Sequence, residues 1–448
     1  MSSTTAAPNN GMAGKLGTWL MIIATVALAF VICVELINIL FYDPWSDEKF
    51  LFKLSGSLSG VEIGPLTYLM FGSLAVALMM GLPLAFVTGG LGVMFIYLVG
   101  DAMMLNIVPG RIFPLMANPD IAAIPLFIFM ASMLERAGLI EEMFSVVYKW
   151  MGGISGGLAA ATIVASTILA AMVGVIGAAV VTMGIIALPA MLKRHYDHKI
   201  AIGSIMAGGT LGILIPPSIL AILYAVVAQQ SVGELYLGSL MPGLLLSGLY
   251  LTYVLVRSWL NPKLGPPIPV EDRISLKEKL KLLGNLIAPL ALVGLVLGLL
   301  FGGIATPVEA AGIGSFGAII VAMMHKKFSI AGLREASVTT AKASAMVLWI
   351  MFGASVFVGF YILQGGQQFV TDAILGTGMS AYGILFLLMV LLVVLGMFLD
   401  WVGILLLAVP IFIPIVKALE FPGLFGFPPV AGDDVVLWFG VLYLVNMQ

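Results

Sequence analysis

The composition of this 448-residue chain excludes a water-soluble protein. Apolar residues make up 61% of the sequence and charged residues only 9%, and 20 basic and 22 acidic side chains give a net charge of −2. A globular protein carries about 25% charged residues because its surface faces water, so most of this surface must face lipid. The near-neutral charge also argues against nucleic-acid binding, which requires a basic face.

Long apolar blocks predict membrane-spanning helices rather than a barrel, whose strands would alternate polar and apolar residues. The first block, 16–41, predicts a retained anchor helix because it is longer than the apolar region of a signal peptide. The later blocks are 64–80, 82–100, 121–137, 154–189, 200–228, 235–260, 285–304, 308–324, 343–363, 380–416 and 435–448. We therefore predict an all-α polytopic membrane protein.

Two blocks, 154–189 and 380–416, are too long for a single crossing of about 20 residues. Each has central glycines, which favour a re-entrant hairpin over a pair of tight spans: Gly174 and Gly177, and Gly396 and Gly403. With a cytoplasmic N-terminus and both blocks returning to their own side, 16 basic residues fall in the cytoplasm and 4 outside. This asymmetry supports the orientation, although it does not distinguish a hairpin from two spans.

A proline- and charge-rich stretch divides the chain into two related halves. The predicted organisation is a tail with an extra transmembrane helix and outer loop (1–63), a first repeat (64–260), a cytoplasmic linker (261–283) and a second repeat (284–448). The first hairpin falls on the cytoplasmic side and the second outside, so the repeats are inverted. Paired, glycine-interrupted segments of this kind indicate a secondary transporter with its site near the membrane midplane.

The run from Met206 to Ser218 predicts that the helix at 200–228 is broken inside the bilayer. Pro217 lacks a backbone donor, and Pro216 excludes helical geometry before it. The freed carbonyls need a bound cation, a buried hydroxyl such as that of Ser218, or water; a kinked helix satisfied by its neighbours is the alternative. The candidate substrate- and sodium-binding residues are Gly174, Gly177, Ala178, Thr182, Gly208, Gly209, Thr210, Gly212, Pro216, Pro217, Ser218, Gly396, Asp400 and Gly403.

Two carboxylates require separate interpretations. Asp400, in the second hairpin, is a functional candidate because a carboxylate at membrane depth is costly; the alternative is an interfacial residue that caps a helix. Glu309 follows Thr306 and Pro307, a pattern that favours a structural capping box. The chain shows no hydrolase, metalloprotease, haem or phosphate-binding motif, so we expect neither an enzyme nor a resident cofactor.

Five stretches resemble the large permease subunit (DctM-like) of TRAP transporters, the tripartite ATP-independent periplasmic family: 123–130, 208–218, 241–243, 304–310 and 395–400. The branch that looks most similar is the mannitol/chloroaromatic branch, whose members resemble importers of 2-oxo acids. The resemblance implies an elevator-type, sodium-coupled importer of small organic carboxylates in the bacterial inner membrane, with a scaffold and a transport domain. It also implies a DctP-like periplasmic substrate-binding protein and a DctQ-like small permease subunit as partners.

Two features depart from the family pattern. The first hairpin tip has Val175-Ile-Gly-Ala-Ala179 where many members have serines, which leaves backbone carbonyls and Thr182 as the expected sodium ligands there. The short final block predicts a truncated sequence, without the second Thr-Pro-Pro break, that should not transport.

Two other functions remain compatible with the sequence. One is a divalent-anion:sodium symporter-like carrier that works without a binding protein. The other is a non-transporting structural subunit of a membrane complex, which would not need broken helices.

Overall fold

The computed structural model describes residues 56–100, 102–173, 176–269, 274–423 and 429–448. These residues fold into 17 α-helices joined by turns and short 3-10 segments, with one isolated antiparallel bridge between Phe421 and Val430. The predicted all-α class is confirmed. The predicted anchor helix at 16–41 lies outside the described residues.

The helices are numbered in chain order: α1 (Ile63–Met79), α2 (Leu84–Val99), α3 (Ile107–Met116), α4 (Ala123–Arg136), α5 (Leu139–Met151), α6 (Gly157–Val173), α7 (Ile176–Lys193), α8 (His198–Thr210), α9 (Ile219–Ala228), α10 (Val232–Leu260), α11 (Leu276–Phe301), α12 (Pro307–Met324), α13 (Ile330–Leu363), α14 (Gly366–Leu375), α15 (Ala381–Gly396), α16 (Trp401–Lys417) and α17 (Asp433–Asn446).

Several helices have the length and surface that a bilayer requires. Among the described residues, α10, α12 and α13 are each long and apolar enough to cross a membrane alone. The pair Met103–Met116 and Pro119–Arg136, bent by 64°, meets the same requirement together. Large apolar side chains are exposed on the surface, among them Ile185 (71%) and Met397 (76%). The protein is therefore a multi-pass membrane protein whose outer surface faces lipid.

The first hairpin consists of α6 and α7, which run antiparallel. The backbone N–H of Leu158, at the start of α6, donates a hydrogen bond to the hydroxyl of Tyr196, just beyond the end of α7, at 3.1 Å. The start of one helix therefore lies beside the end of the other. Small buried residues, Ala159 to Ala161, allow neighbouring helices to approach this foot of the hairpin closely. The connection at 174–175 lies outside the described residues.

The second hairpin consists of α15 and α16, with Met397–Asp400 between them. Tyr382, at the start of α15, donates its hydroxyl proton to the carbonyl of Pro422, beyond the end of α16, at 2.7 Å. At the other end, a methyl group on Gly396 would lie 3.7 Å from Ile404. The two helices are therefore antiparallel, as expected both for a re-entrant hairpin and for a pair of tight spans.

A proline in the second hairpin frees a carbonyl that another helix satisfies. Pro414 has no N–H to donate to the carbonyl of Pro410 four residues earlier. The side-chain amide of Gln367, in the first turn of α14, donates to that carbonyl at 3.0 Å. This contact fixes α14 against the middle of α16.

The segment predicted as a linker, 261–283, is partly helical and partly docked. α11 begins at Leu276 because Ser275 and Glu278 form a capping box: the Glu278 N–H donates to the Ser275 hydroxyl at 3.3 Å, and the Ser275 N–H donates to the Glu278 carboxylate at 3.0 Å. At the next turn, the Trp150 indole donates to the carbonyl of Lys279 at 3.1 Å. The start of α11 is therefore held against the end of α5.

The part of the linker at 262–268 lies across the foot of the first hairpin. The Gly265 carbonyl accepts a hydrogen bond from the Gly156 N–H at 2.8 Å, and the Ile268 N–H donates to the Gly152 carbonyl at 2.7 Å. Ile268 is buried and occupies the space where a side chain at Gly152 would lie. We call residues 262–268 the strap segment.

Candidate functional site

The predicted break lies between α8 and α9. α8 ends at Thr210, a 3-10 turn follows at Leu211–Ile213, and α9 begins at Ile219. The carbonyl of Ile213 has proline at both positions that supply helical donors, three and four residues later. The hydroxyl of Ser218 donates to this carbonyl at 2.5 Å. Of the partners that the sequence left open, the buried hydroxyl therefore serves this carbonyl.

Ser218 is completely buried and has two further roles. Its side-chain oxygen accepts a hydrogen bond from the N–H of Ala221 at 3.4 Å, which makes it the N-cap of α9. Its carbonyl accepts from the hydroxyl of Tyr236 on α10 at 3.1 Å and from the N–H of Ile222 at 3.3 Å. Tyr236 is also completely buried. Two hydroxyls thus support the break from inside the protein.

Gly208 and Gly209 bring the end of α8 against the first hairpin. A methyl group on Gly208 would lie 2.8 Å from Cβ and Oγ of Ser166 on α6. One on Gly209 would overlap the side chain of Val180 on α7 and lie 3.1 Å from its backbone. Both glycines are therefore required for close packing. The hydroxyl of Ser166 is buried and has no hydrogen-bond partner among the described residues.

The predicted threonines each have a protein partner. The Thr210 hydroxyl donates to the carbonyl of Ala207 at 2.9 Å, one turn earlier on α8. The Thr182 hydroxyl donates to the carboxylate of Glu135, at the end of α4, at 3.2 Å. Thr182 thus connects the first hairpin to α4, a contact that spacing along the sequence does not indicate.

Of the three residues predicted at the first hairpin tip, two lie within the part of the chain that the structure describes. Gly177 and Ala178 lie in the first turn of α7. Gly174 lies outside the described residues. α7 therefore contacts the end of α8 at Gly209, next to the break. A binding role for the tip itself stays a prediction.

Gly212 has a carbonyl that proline deprives of a helical donor. Pro216 stands four residues later, and the N–H three residues later, of Ile215, donates to Leu211 instead, at 3.0 Å. Gly212 is buried. A buried carbonyl without its helical donor is a candidate ligand for a cation.

Asp400 is the N-cap of α16. Its carboxylate accepts a hydrogen bond from the N–H of Gly403 at 3.2 Å. A methyl group on Gly403 would overlap the side chain of Leu84, at the start of α2. The second hairpin tip therefore packs against α2, whereas the residues of the break contact the first hairpin and α10. The capping alternative for Asp400 is what the geometry shows, and a further role in transport stays a prediction.

An aromatic connection, which sequence reasoning missed, joins the break to the second hairpin. The Tyr224 hydroxyl on α9 donates to the carbonyl of Val436 on α17 at 2.7 Å, and its ring stacks on Tyr443 with centroids 5.8 Å apart. The Tyr443 hydroxyl donates to the carbonyl of Trp401, next to Asp400, at 3.2 Å. The tyrosines within the apolar blocks could have indicated such contacts, because a buried tyrosine hydroxyl requires a hydrogen-bond partner.

Glu309 has the structural role that its sequence context favoured. The Thr306 N–H donates to its carboxylate at 2.8 Å, and the Glu309 N–H donates to the Thr306 hydroxyl at 3.3 Å, with Pro307 at the first position of α12. The described residues contain no group of three or more histidine, cysteine, aspartate or glutamate side chains that would hold a metal.

Comparison with known proteins identifies the family. The family model of the tripartite ATP-independent periplasmic transporter, DctM component, matches residues 71–448. The chain belongs to this family. Members of the DctM family are transporter permeases, so the protein is not an enzyme.

Relatives within the DctM family have varied names. The isethionate TRAP transporter permease protein DctMQ of Oleidesulfovibrio alaskensis is 31% identical over 386 residues, which is 86% of this chain and 58% of that protein's length. The C4-dicarboxylate large permease DctM of Rhodobacter capsulatus is 28% identical, covering 85% of this chain and 86% of that one. The ectoine/5-hydroxyectoine large permease UehC of Ruegeria pomeroyi is also 28% identical, with 78% and 81% covered.

A solved structure shares the fold. The crystal structure of the Alcanivorax borkumensis YdaH transporter, described as having an unusual topology, superposes with a TM-score of 0.53 at 17% identity. The match covers 85% of this chain and 86% of that one.

Proposed function

We propose that this DctM-family chain is the membrane subunit of a sodium-driven importer of small organic carboxylates. The observation that carries the proposal is the interrupted helix at 208–218, packed against a hairpin inside a lipid-embedded protein. Proline leaves the carbonyl of Gly212 without a helical donor, and the buried hydroxyl of Ser166 lies beside the same helix end. Oxygen atoms of this kind are the ligands that hard cations prefer, and broken helices supply them in secondary transporters.

Sodium is proposed over protons because the break contains few titratable groups. Glycine, serine, threonine and proline dominate 208–218, and the carboxylate of Asp400 accepts a hydrogen bond as a helix cap. A proton-coupled site would need a carboxylate or histidine that changes charge during the cycle. The break offers oxygen atoms that keep one protonation state, which suits sodium.

The proposed mechanism is an elevator built from inverted repeats. The two antiparallel hairpins, α6–α7 and α15–α16, support it, since each stands in one half of the chain. In this proposal the hairpins and the broken helix move together against a scaffold of the remaining helices. The Tyr224–Tyr443 contact would keep the first half and the second hairpin tip together during that movement.

The substrate and partners follow from the family and are also proposals. The relatives are named for isethionate, C4-dicarboxylates and ectoine, and we propose a mannitol/chloroaromatic-type or 2-oxo acid substrate for this chain. A periplasmic binding protein would deliver the substrate and a small permease subunit would pack against the scaffold. The relative named DctMQ is consistent with that pairing. The proposed location is the bacterial inner membrane, with the N-terminus in the cytoplasm.

Uptake into proteoliposomes tests the function. The intact subunit, reconstituted with the small permease subunit, is given a radiolabelled 2-oxo acid or C4-dicarboxylate together with the purified binding protein and an inward sodium gradient. We expect uptake of one of these anions that stops when sodium is replaced by choline, even with a proton gradient present. Uptake that continues without sodium would assign the coupling to protons.

Omission of the binding protein provides the second arm of this experiment. Loss of uptake supports the tripartite arrangement. Unchanged uptake would favour the carrier of divalent-anion:sodium symporter type. No uptake with any sodium, proton or binding-protein combination would favour a structural subunit.

A further inference from the structure

A groove of about 430 Å³ lies between α6, α8 and α10, outside the break itself. Its lining includes Lys199 in the first turn of α8, Gly203 and Ala207 further along the same helix, and Tyr250 and Tyr253 on α10. From Lys199 to Ala207 the helix rises by about 12 Å. The groove is therefore long and narrow, with a positive charge at one end and apolar or aromatic walls beyond it.

The position of the groove favours an occupant that arrives from lipid. Its wall is open at Gly203, where an added methyl group would meet nothing within 4 Å. The surface beside it exposes large apolar side chains, including Met206 at 57% and Leu249 at 56%. A water-soluble anion does not concentrate on such a surface, whereas an acyl chain does.

The charge at the mouth of the groove favours an anionic headgroup. Lys199 makes no ion pair with any residue that the structure describes. Asp197, two residues earlier, accepts hydrogen bonds from the N–H groups of Lys199 and Ile200 as the N-cap of α8. No acidic side chain lines the groove. A basic pocket between membrane helices is the arrangement that binds acidic phospholipids.

We propose that this groove binds one anionic phospholipid, with its phosphodiester at Lys199 and one acyl chain along Gly203 and Ala207. Tyr250 and Tyr253 supply aromatic walls along the groove. Tyr250 lines the groove together with Ala207, which lies in the last turn of α8 before the break. Lipid in the groove would therefore lie beside the end of α8 that precedes the break.

Two substitutions test the two ends of the site separately. Gly203→Leu adds a side chain at the groove wall, and its Cβ meets no atom within 4 Å. Lys199→Gln removes the charge and keeps much of the side chain. Gly248→Leu, at an equally open position on α10 away from the groove lining, is the control for the first. Lys263→Gln, an exposed lysine outside the lining, is the control for the second.

The readout is native mass spectrometry of the purified protein titrated with phosphatidylglycerol, with phosphatidylcholine of the same chains, or with glycerol phosphate. We expect one phosphatidylglycerol to bind more tightly than phosphatidylcholine. Lys199→Gln should weaken phosphatidylglycerol binding about five-fold, the effect of removing one surface lysine, and should leave phosphatidylcholine unaffected. Gly203→Leu should abolish occupancy by both lipids, and both controls should bind as wild type.

Three results would overturn the proposal. One is full phosphatidylglycerol binding by Gly203→Leu, with a melting curve that confirms a folded protein. Another is equal affinity for the two lipids in wild type and Lys199→Gln. The third is displacement of phosphatidylglycerol by glycerol phosphate, which would indicate a site for small soluble anions.

Discussion

Replacement of Ser218 by alanine tests how the break is stabilised. The substitution removes the only side-chain donor to the Ile213 carbonyl among the described residues, and both helical donor positions of that carbonyl are prolines. It also removes the N-cap of α9. Leaving a buried carbonyl unpaired costs about 1–3 kcal/mol, and losing a serine cap costs about 1 kcal/mol. We therefore expect Ser218→Ala to lower the free energy of unfolding by about 2–4 kcal/mol.

Ser231→Ala supplies the matched control. Ser231 is the N-cap of α10, and its hydroxyl accepts from the N–H of Glu234 at 3.3 Å, but the residue is exposed and pairs with no orphaned carbonyl. This variant should lose about 1 kcal/mol or less, so the difference between the two alanine variants measures the buried carbonyl alone.

Unfolding titrations give both values. The protein in mixed micelles is titrated with sodium dodecyl sulfate, and helix content and tryptophan fluorescence are followed for wild type and each variant. Coincident transitions from the two probes would justify the comparison of free energies. If Ser218→Ala costs no more than Ser231→Ala, the Ile213 carbonyl has another partner, and the Ser218 hydroxyl does not stabilise the break.

The same titration and the uptake assay test three other contacts. Gly209→Ala should lower the free energy of unfolding by about 1–3 kcal/mol because the added methyl group meets the first hairpin. The control, Gly203→Ala, places its methyl group in open space and should be neutral or stabilising by up to about 1 kcal/mol. Equal unfolding transitions for the two variants would contradict the close packing at Gly209. Gln367→Met should lower the free energy of unfolding by about 1 kcal/mol because it leaves the Pro410 carbonyl in α16 without its donor. The control, Gln368→Met at an exposed position, should cost less than about 0.5 kcal/mol. A larger loss for the control would exclude a stabilising bond between Gln367 and Pro410. Asp400→Asn retains a capping oxygen, so stability should hold while sodium-driven uptake falls; wild-type uptake would limit Asp400 to capping.

Features encoded by neighbouring residues could be predicted from the sequence. Consecutive prolines at 216 and 217 remove donors wherever the rest of the chain lies, so the break follows from local chemistry alone. The capping box at Thr306 and Glu309 is equally local. The hairpins followed from block length and central glycines, because about 36 apolar residues exceed one crossing of about 20.

Contacts between distant helices could not be predicted in this way. Tyr236 lies 18 residues after Ser218 on another helix, and nothing in the intervening sequence states that its hydroxyl reaches the Ser218 carbonyl. The Thr182–Glu135 bond joins residues 47 positions apart. Such pairs depend on how helices pack, which in lipid is decided by shape at close approach rather than by apolar character.

The linker was the least predictable element. Its prolines and charges are typical of a solvated spacer, yet its first part forms backbone hydrogen bonds with Gly152 and Gly156. Every residue except proline carries the same backbone donor and acceptor, so composition does not reveal where they pair.

The strap segment has a consequence for how the two halves are coupled. Because residues 262–268 are hydrogen-bonded to the base of α6 and to Asp197 at the start of α8, a displacement of the first hairpin carries this piece of chain with it. Beyond Ile268, the next hydrogen bond to the first half that the structure describes is at the start of α11, where the Trp150 indole donates to the Lys279 carbonyl. The part of the linker that is not bound to the first hairpin is therefore shorter than the 23 residues from 261 to 283. In the proposed elevator movement, residues 262–268 would therefore move with the first hairpin.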